Sequence, residues 1–159
     1  MKLFPTSNYN FTIIGEPSES LDRLKRRTEI SESLVSKKTN KSFVGKITNN
    51  TFKIISSEIG KGAFCVLNGE IINKNGVVDI EINKAFKILL SFFLCFPAIG
   101  IIVQLCTEKI KFSPIFVLVA ILQVLLIRFV FIELAFRNLS KKSLNRLSDV
   151  LDIESFEKN

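Results

Sequence analysis

The chain contains no histidine. That removes the commonest general base and the commonest metal ligand. Cysteine is scarce too. Cys65, Cys95 and Cys106 form an odd set without close spacing, which argues against a disulfide framework or a zinc cluster. No HExxH, GxSxG, P-loop or GxGxxG pattern occurs, and GEPSES at 15–20 lacks the glycine spacing of a phosphate loop. Cys65 is the one thiol outside the apolar runs. It stands between Phe64 and Val66 with no histidine to activate it, so it reads as a buried structural cysteine. No catalytic, cofactor-binding or metal-binding residue is expected, and no enzyme. Residues 1–84 hold 13 Lys/Arg against 9 Asp/Glu. That surplus is too small and scattered to point to nucleic acid. A basic surface facing anionic lipid headgroups is the simpler account. The opening stretch MKLFPTSNYNFTIIG has no long apolar run after its lysine, so a secretory signal peptide is not expected.

What the chain has in abundance is uninterrupted apolar sequence. The run 88–106, ILLSFFLCFPAIGIIVQLC, carries no charge. A second run begins PIFVLVAILQVLLI at 114, passes Arg128 and reaches residue 136. A bilayer core of roughly 30 Å needs about 20 helical residues, and both runs suffice. The rival is a helical hairpin buried in a soluble core, but such helices usually keep a polar face. Here only Ser91 and Gln104 interrupt 88–106. A two-span transmembrane hairpin over 85–136, with spans 88–106 and 114–136, is expected.

The segment before it, 1–84, reads as a β-rich domain. Residues 10–14 suit a strand closed by Gly15. Pro17 suits a first helical turn, and 20–27 carries Leu21 and Leu24 on one face with Arg23, Lys25, Arg26 and Arg27 around them. Such a basic cluster is usually a solvated face. The stretch 29–35 is ambiguous: Ile30 and Leu34 suit a helix, Ser31 and Ser33 weaken it. Strands are expected at 42–47 and 51–56, joined at Asn49-Asn50. A third follows at 63–73, where Gly69 suggests a bulge or close packing. Asn75-Gly76 is the strongest hairpin signal, leading into a fourth strand at 77–82. The expected domain is thus a curled four-stranded antiparallel sheet, closed by the strand near residue 12 and covered by the short helix. The tail, 137–159, has Leu144, Leu147 and Leu151 on one helical face. A helix over 140–156 is expected, lying on lipid or docked on the sheet domain. The fold class is α+β: a small antiparallel sheet domain, two transmembrane helices and an amphipathic tail helix.

Within the spans, Pro97 frees the carbonyl of Phe93, and Gly100 lies one turn on. Together they predict a kink, serving as a hinge, a packing notch or a simple bend. Gln123 needs an amide partner in lipid, either that freed carbonyl or a second copy of the chain. Arg128 and Glu133 are intramembrane charges that by default mark function. They lie in the last third of the span, where Arg128 can snorkel, and five residues apart they do not share an α-helical face. Lys74, Lys84, Lys87, Arg137, Lys141, Lys142 and Arg146 flank the hairpin on one side, against Lys109 and Lys111 in the loop. The positive-inside rule then puts both termini in the cytoplasm.

The run FVGKITNNTFKIISSEIGKGAFCVLNGEIINKNGVVDIEINKAFKILL has an F-x-G-x-I, F-x-I, G-x-I pattern at Phe43, Gly45, Ile47, Phe52, Ile54, Gly69 and Ile71, with GAFCV at 62–66. In this it resembles a family of small uncharacterised bacterial membrane proteins, over about residues 10–136. The expected place is the inner membrane, and the resemblance implies the architecture. It implies no activity. The expected role is a non-enzymatic interaction or accessory module. Its partners would be the lipid bilayer and a protein or a second copy of the chain, with the curved sheet face as contact surface. The alternative is an oligomeric transport or permeation component built around Gln123 and Gln104.

Overall fold

The computed structural model describes residues 3–60, 62–106 and 114–158. The chain divides into two compact units, Met1–Asn83 with Phe136–Asn159, and Lys84–Ala135. The loop 107–113, with Lys109 and Lys111, lies outside the described residues.

The first unit has an α+β fold on a single seven-stranded sheet. Strand β1 is Thr6–Ile13, whose Thr, Tyr, Phe and Ile favour extended backbone. Helix α1, Pro17–Arg27, starts where proline pre-sets the helical φ, and buries Ser20, Leu21 and Leu24. It stops at Thr28, which is extended. The strands β2 (Thr28–Ile30), β3 (Phe43–Thr48), β4 (Thr51–Ser56), β5 (Cys65–Ile72) and β6 (Asn75–Ile82) follow. The chain returns as the later part of a helix, Glu133–Leu151, and ends in β7, Ile153–Lys158. The sheet order is β2-β3-β4-β5-β6-β1-β7, antiparallel throughout except the β2–β3 pair.

Three expectations are corrected here. The strand near residue 12 does join the four, as β1 beside β6, but the sheet goes further: β7 is added beyond β1, and a short parallel strand, β2, at the far edge. Glu29 and Ile30 of the ambiguous stretch, with Thr28 before them, pair with β3 as strand. The β5–β6 turn falls at Asn73-Lys74, not at Asn75-Gly76. Asn73 takes the left-handed conformation at φ 57, which asparagine tolerates, and Ile72 already pairs with Asn75. Gly76 serves another purpose: the Phe11 ring lies over it, and a Cβ there would stand 2.2 Å from Cζ of Phe11. Gly69 is likewise covered by its cross-strand neighbour Phe52, so close packing explains it and no bulge is needed.

The tail helix was also expected to run to Phe156. It ends at Leu151, Asp152 turns the chain at φ 52, and β7 pairs with β1. Ile153 and Phe156 are three residues apart, a helical spacing. The register slips beside Glu154, so that Ile13 faces Ile153 while Thr12 faces Ser155. That bulge puts Ile153 and Phe156 on one face of a strand. Phe156 packs its ring 6.2 Å from those of Tyr9 and Phe11.

The register sorts the side chains. One face carries Phe43, Ile54, Leu67, Ile71, Val78, Ile80, Ile82, Phe11 and Ile13, all buried, together with Leu21 and Leu24 of α1 and Leu144, Leu147 and Leu151 of the tail helix. Each such burial contributes about 1.5–3 kcal/mol. The other face is mostly polar. An apolar cluster there, Val44, Ile55 and Val66, is covered by Leu34 and Ala63.

The second unit is helical. Helix α2, Lys84–Cys106, runs through Pro97. Helix α3, Pro114–Leu125, passes into a π-helical segment, Leu126–Ile132, and then into α4, Glu133–Leu151, without a break. Two helices are long and apolar enough to cross a membrane, Lys84–Val103 and Ile115–Leu151, and only 6% of the apolar window of each is buried. A core helix of a soluble protein would be mostly buried; Phe92 and Phe96 are 70% exposed.

Candidate functional site

The exposed sheet face builds one broad groove. Because cross-strand partners share a face, Lys46, Lys53, Asn68, Asp79 and Asn8 form a single row across β3, β4, β5, β6 and β1. Lys46 and Lys53 are directly opposed, an arrangement that destabilises a strand pair. Among the described residues neither meets a carboxylate. At the other end of the row Asn8 Nδ2 donates to Asp79 Oδ1 at 2.6 Å, and Asn68 Nδ2 donates to Glu81 Oε1 at 3.1 Å. The groove, about 770 Å³, is walled by Ser31, Glu32 and Leu34 and floored by Lys46, Lys53, Glu70 and Asp79. Its lining carries two lysines, Lys46 and Lys53, and three carboxylates, Glu32, Glu70 and Asp79. It offers hydrogen bonds and charge.

Cys65 lies on the opposite, buried face, fully enclosed. Burial pushes its thiol up from 9.0 to about 12, because a thiolate there would lose its solvation. At neutral pH it is an inert thiol. Among the described residues no three His, Cys, Asp or Glu side chains gather as a metal site.

The basic cluster of α1 is not simply solvated. Arg23, Arg26 and Arg27 line a hollow of about 530 Å³ together with Ser42 and, from α4, Arg146, Asp149 and Val150. Arg23 Nη1 is paired with Asp152 Oδ2, while its Nε is buried without a hydrogen-bond partner. Arg146 Nη1 donates to Ser56 Oγ at 2.7 Å. Arg146 could not be placed here from the sequence, since nothing local ties residue 146 to residues 23–27. The link is the docking of α4, seen also in the Ser20 hydroxyl donating to the Leu151 carbonyl at 3.2 Å.

The candidate residues of the helical unit stay apart from one another, with one exception. Gln123 is exposed, and among the described residues no hydrogen bond ties it to the Phe93 carbonyl. Pro97 is buried. A Cβ on Gly100 would meet nothing within 4 Å, so it is not a packing notch. Arg128 and Glu133 are the exception: Nη1 and Oε2 are 3.6 Å apart. An α-helix would separate them, but the wider π-helical turn, bonded i to i+5, brings residues five apart onto one face. Arg128 also lies 5.4 Å from the Phe129 ring centroid, a cation–π distance.

Comparison with protein-family models, with curated proteins and with solved structures found no match.

Proposed function

We propose that the chain is a two-span integral protein of a bacterial inner membrane, acting as a non-enzymatic interaction or accessory module. The observation that carries this is the pair of helices long and apolar enough to cross a bilayer, with only 6% of the apolar window of each buried. In water so large an apolar surface would be untenable; in lipid it is the ordinary state. The segments on either side of the hairpin, ending at Asn83 and resuming at Phe136, belong to one compact unit. They must therefore lie on the same side of a bilayer. The Lys/Arg bias makes that side the cytoplasm, in keeping with the resemblance drawn from the sequence.

The exposed sheet groove is the contact surface in this reading. Lys46 and Lys53, directly opposed and in no ion pair among the described residues, cost stability within the chain, and an acidic partner surface would relieve it. The groove's charged and amide side chains support recognition of a polar partner surface. The test is extraction of the full-length protein from native membranes in mild detergent, with measurement of the mass and composition of the complex. A second polypeptide at fixed stoichiometry, lost on Lys46→Glu/Lys53→Glu, is the expected result. A homo-oligomer insensitive to that change but disrupted by Gln123→Leu would favour permeation. Release of the chain by carbonate washing would refute membrane integration.

A further inference from the structure

We propose that the hollow between α1 and α4 is a binding site for a phosphoryl group, with Arg26, Arg27 and Arg146 as its ligands. Nothing in this depends on the chain being membrane-bound.

Arg26 and Arg27 stand in the last turn of α1. Attraction between a basic side chain and the negative end of a helix accounts for their presence there. It does not account for Arg146, brought to the same hollow from α4. Convergence of three guanidinium groups from two elements is unfavourable unless something negative sits among them. Arg23 is already answered by Asp152. Arg26, Arg27 and Arg146 are answered within the hollow only by the exposed carboxylate Asp149, which leaves positive charge in excess. Among the described residues neither Arg26 nor Arg27 takes part in an ion pair.

The geometry favours a tetrahedral anion over a carboxylate. A phosphoryl group presents three oxygens, enough to engage forks arriving from both helices, whereas a carboxylate presents two. Guanidinium matches phosphate with paired hydrogen bonds. Arg146 is oriented for this by its bond to Ser56. Ser42 lines the same hollow and can add a hydroxyl donor. A hollow of about 530 Å³ holds the phosphoryl group and leaves room for what it is attached to, either a water-soluble phosphate ester or a lipid headgroup.

The full-length protein in a neutral, phosphate-free detergent tests the assignment. Thermal unfolding is followed against inorganic pyrophosphate at constant ionic strength, and separately in mixed micelles carrying phosphatidic acid or only phosphatidylcholine. Saturable stabilisation by pyrophosphate identifies a soluble phosphate compound as the source. Stabilisation confined to phosphatidic acid identifies a headgroup. Arg26→Gln/Arg27→Gln, both at exposed positions, is expected to weaken the response at least tenfold, while Lys25→Gln on the same helix leaves it unchanged. Should the double variant lose its cooperative transition, Arg146→Lys keeps the charge and removes the fork, and is expected to weaken the response likewise. No response to either probe overturns the proposal. So does an Arg26→Gln/Arg27→Gln or Arg146→Lys response equal to that of the unmodified protein.

Discussion

Replacing Gly69 by alanine would test how the middle of the sheet is packed. The added Cβ would stand 2.2 Å from Cζ of Phe52 and 2.7 Å from both ring ε carbons. Phe52 is 3% exposed, so its ring has little room to retreat. Two terms oppose each other. Alanine loses less backbone entropy than glycine on folding, a gain of about 0.4–1 kcal/mol. Overpacking a filled core costs about 1–3 kcal/mol. The cost wins, and the sheet is destabilised. Cys65, enclosed on the same strand, supplies the assay. In a background with Cys95→Ala and Cys106→Ala, a water-soluble thiol reagent reaches Cys65 only when the sheet opens. One or two kcal/mol changes the open population by a factor of about 5–30, and the labelling rate follows when closing outpaces reaction. In a Phe52→Leu background the shorter side chain leaves space for the Cβ, so the same change costs less. A rate unmoved by Gly69→Ala, or an equal cost in both backgrounds, would refute the ring-on-glycine packing.

Three further outcomes are expected. The Cys65 thiol is raised in the folded state from 9.0 to about 12, so its contribution to stability is fully present below pH ~9 and is lost as pH rises from there toward 12; Cys65→Ala should remove that part of the alkaline loss in denaturant titrations compared with the unmodified chain. Asp152→Ala should destabilise by about 1–2 kcal/mol, because a residue at φ 52 pays the left-handed penalty and the contact with Arg23 goes; Asp152→Gly should cost less, and equal losses in thermal unfolding would contradict the conformational part. Arg128→Gln and Glu133→Gln should couple in a double-mutant cycle by about 0.5 kcal/mol or more; strict additivity would mean that the π-helical turn does not bring them together.

Much of the architecture was legible from local chemistry. Pro17 with Leu21 and Leu24 marked α1, Asn49-Asn50 marked the β3–β4 turn, and the charge-free run 88–106 marked the apolar helix. The failures share a cause: a local signal served a distant purpose. Gly76 looked like half of a hairpin turn because Asn precedes it, but it makes room for Phe11, 65 residues earlier in the chain. The tail helix was extended to Phe156 on the periodicity of Leu144, Leu147 and Leu151, but it ends at Leu151, and a bulge at Glu154 gives the following strand the spacing of a helix. Arg128 and Glu133 looked unrelated because the spacing rule assumes 3.6 residues per turn, and that stretch is wound more loosely. The arginine hollow needed the docking of α4 on α1, which no window of sequence contains.

The place of β1 between β6 and β7 also sets an order of events during synthesis. Six strands emerge before the first apolar helix, and β7 comes last of all, after the second. Until then the free edge of β1 offers a row of unpaired backbone groups to any passing strand. If the hairpin spans a bilayer as proposed, a chain that inserted a single helix would leave β7 on the other side, with the β1 edge open. In that topology, pairing of β7 with β1 requires that both helices of the hairpin have been inserted.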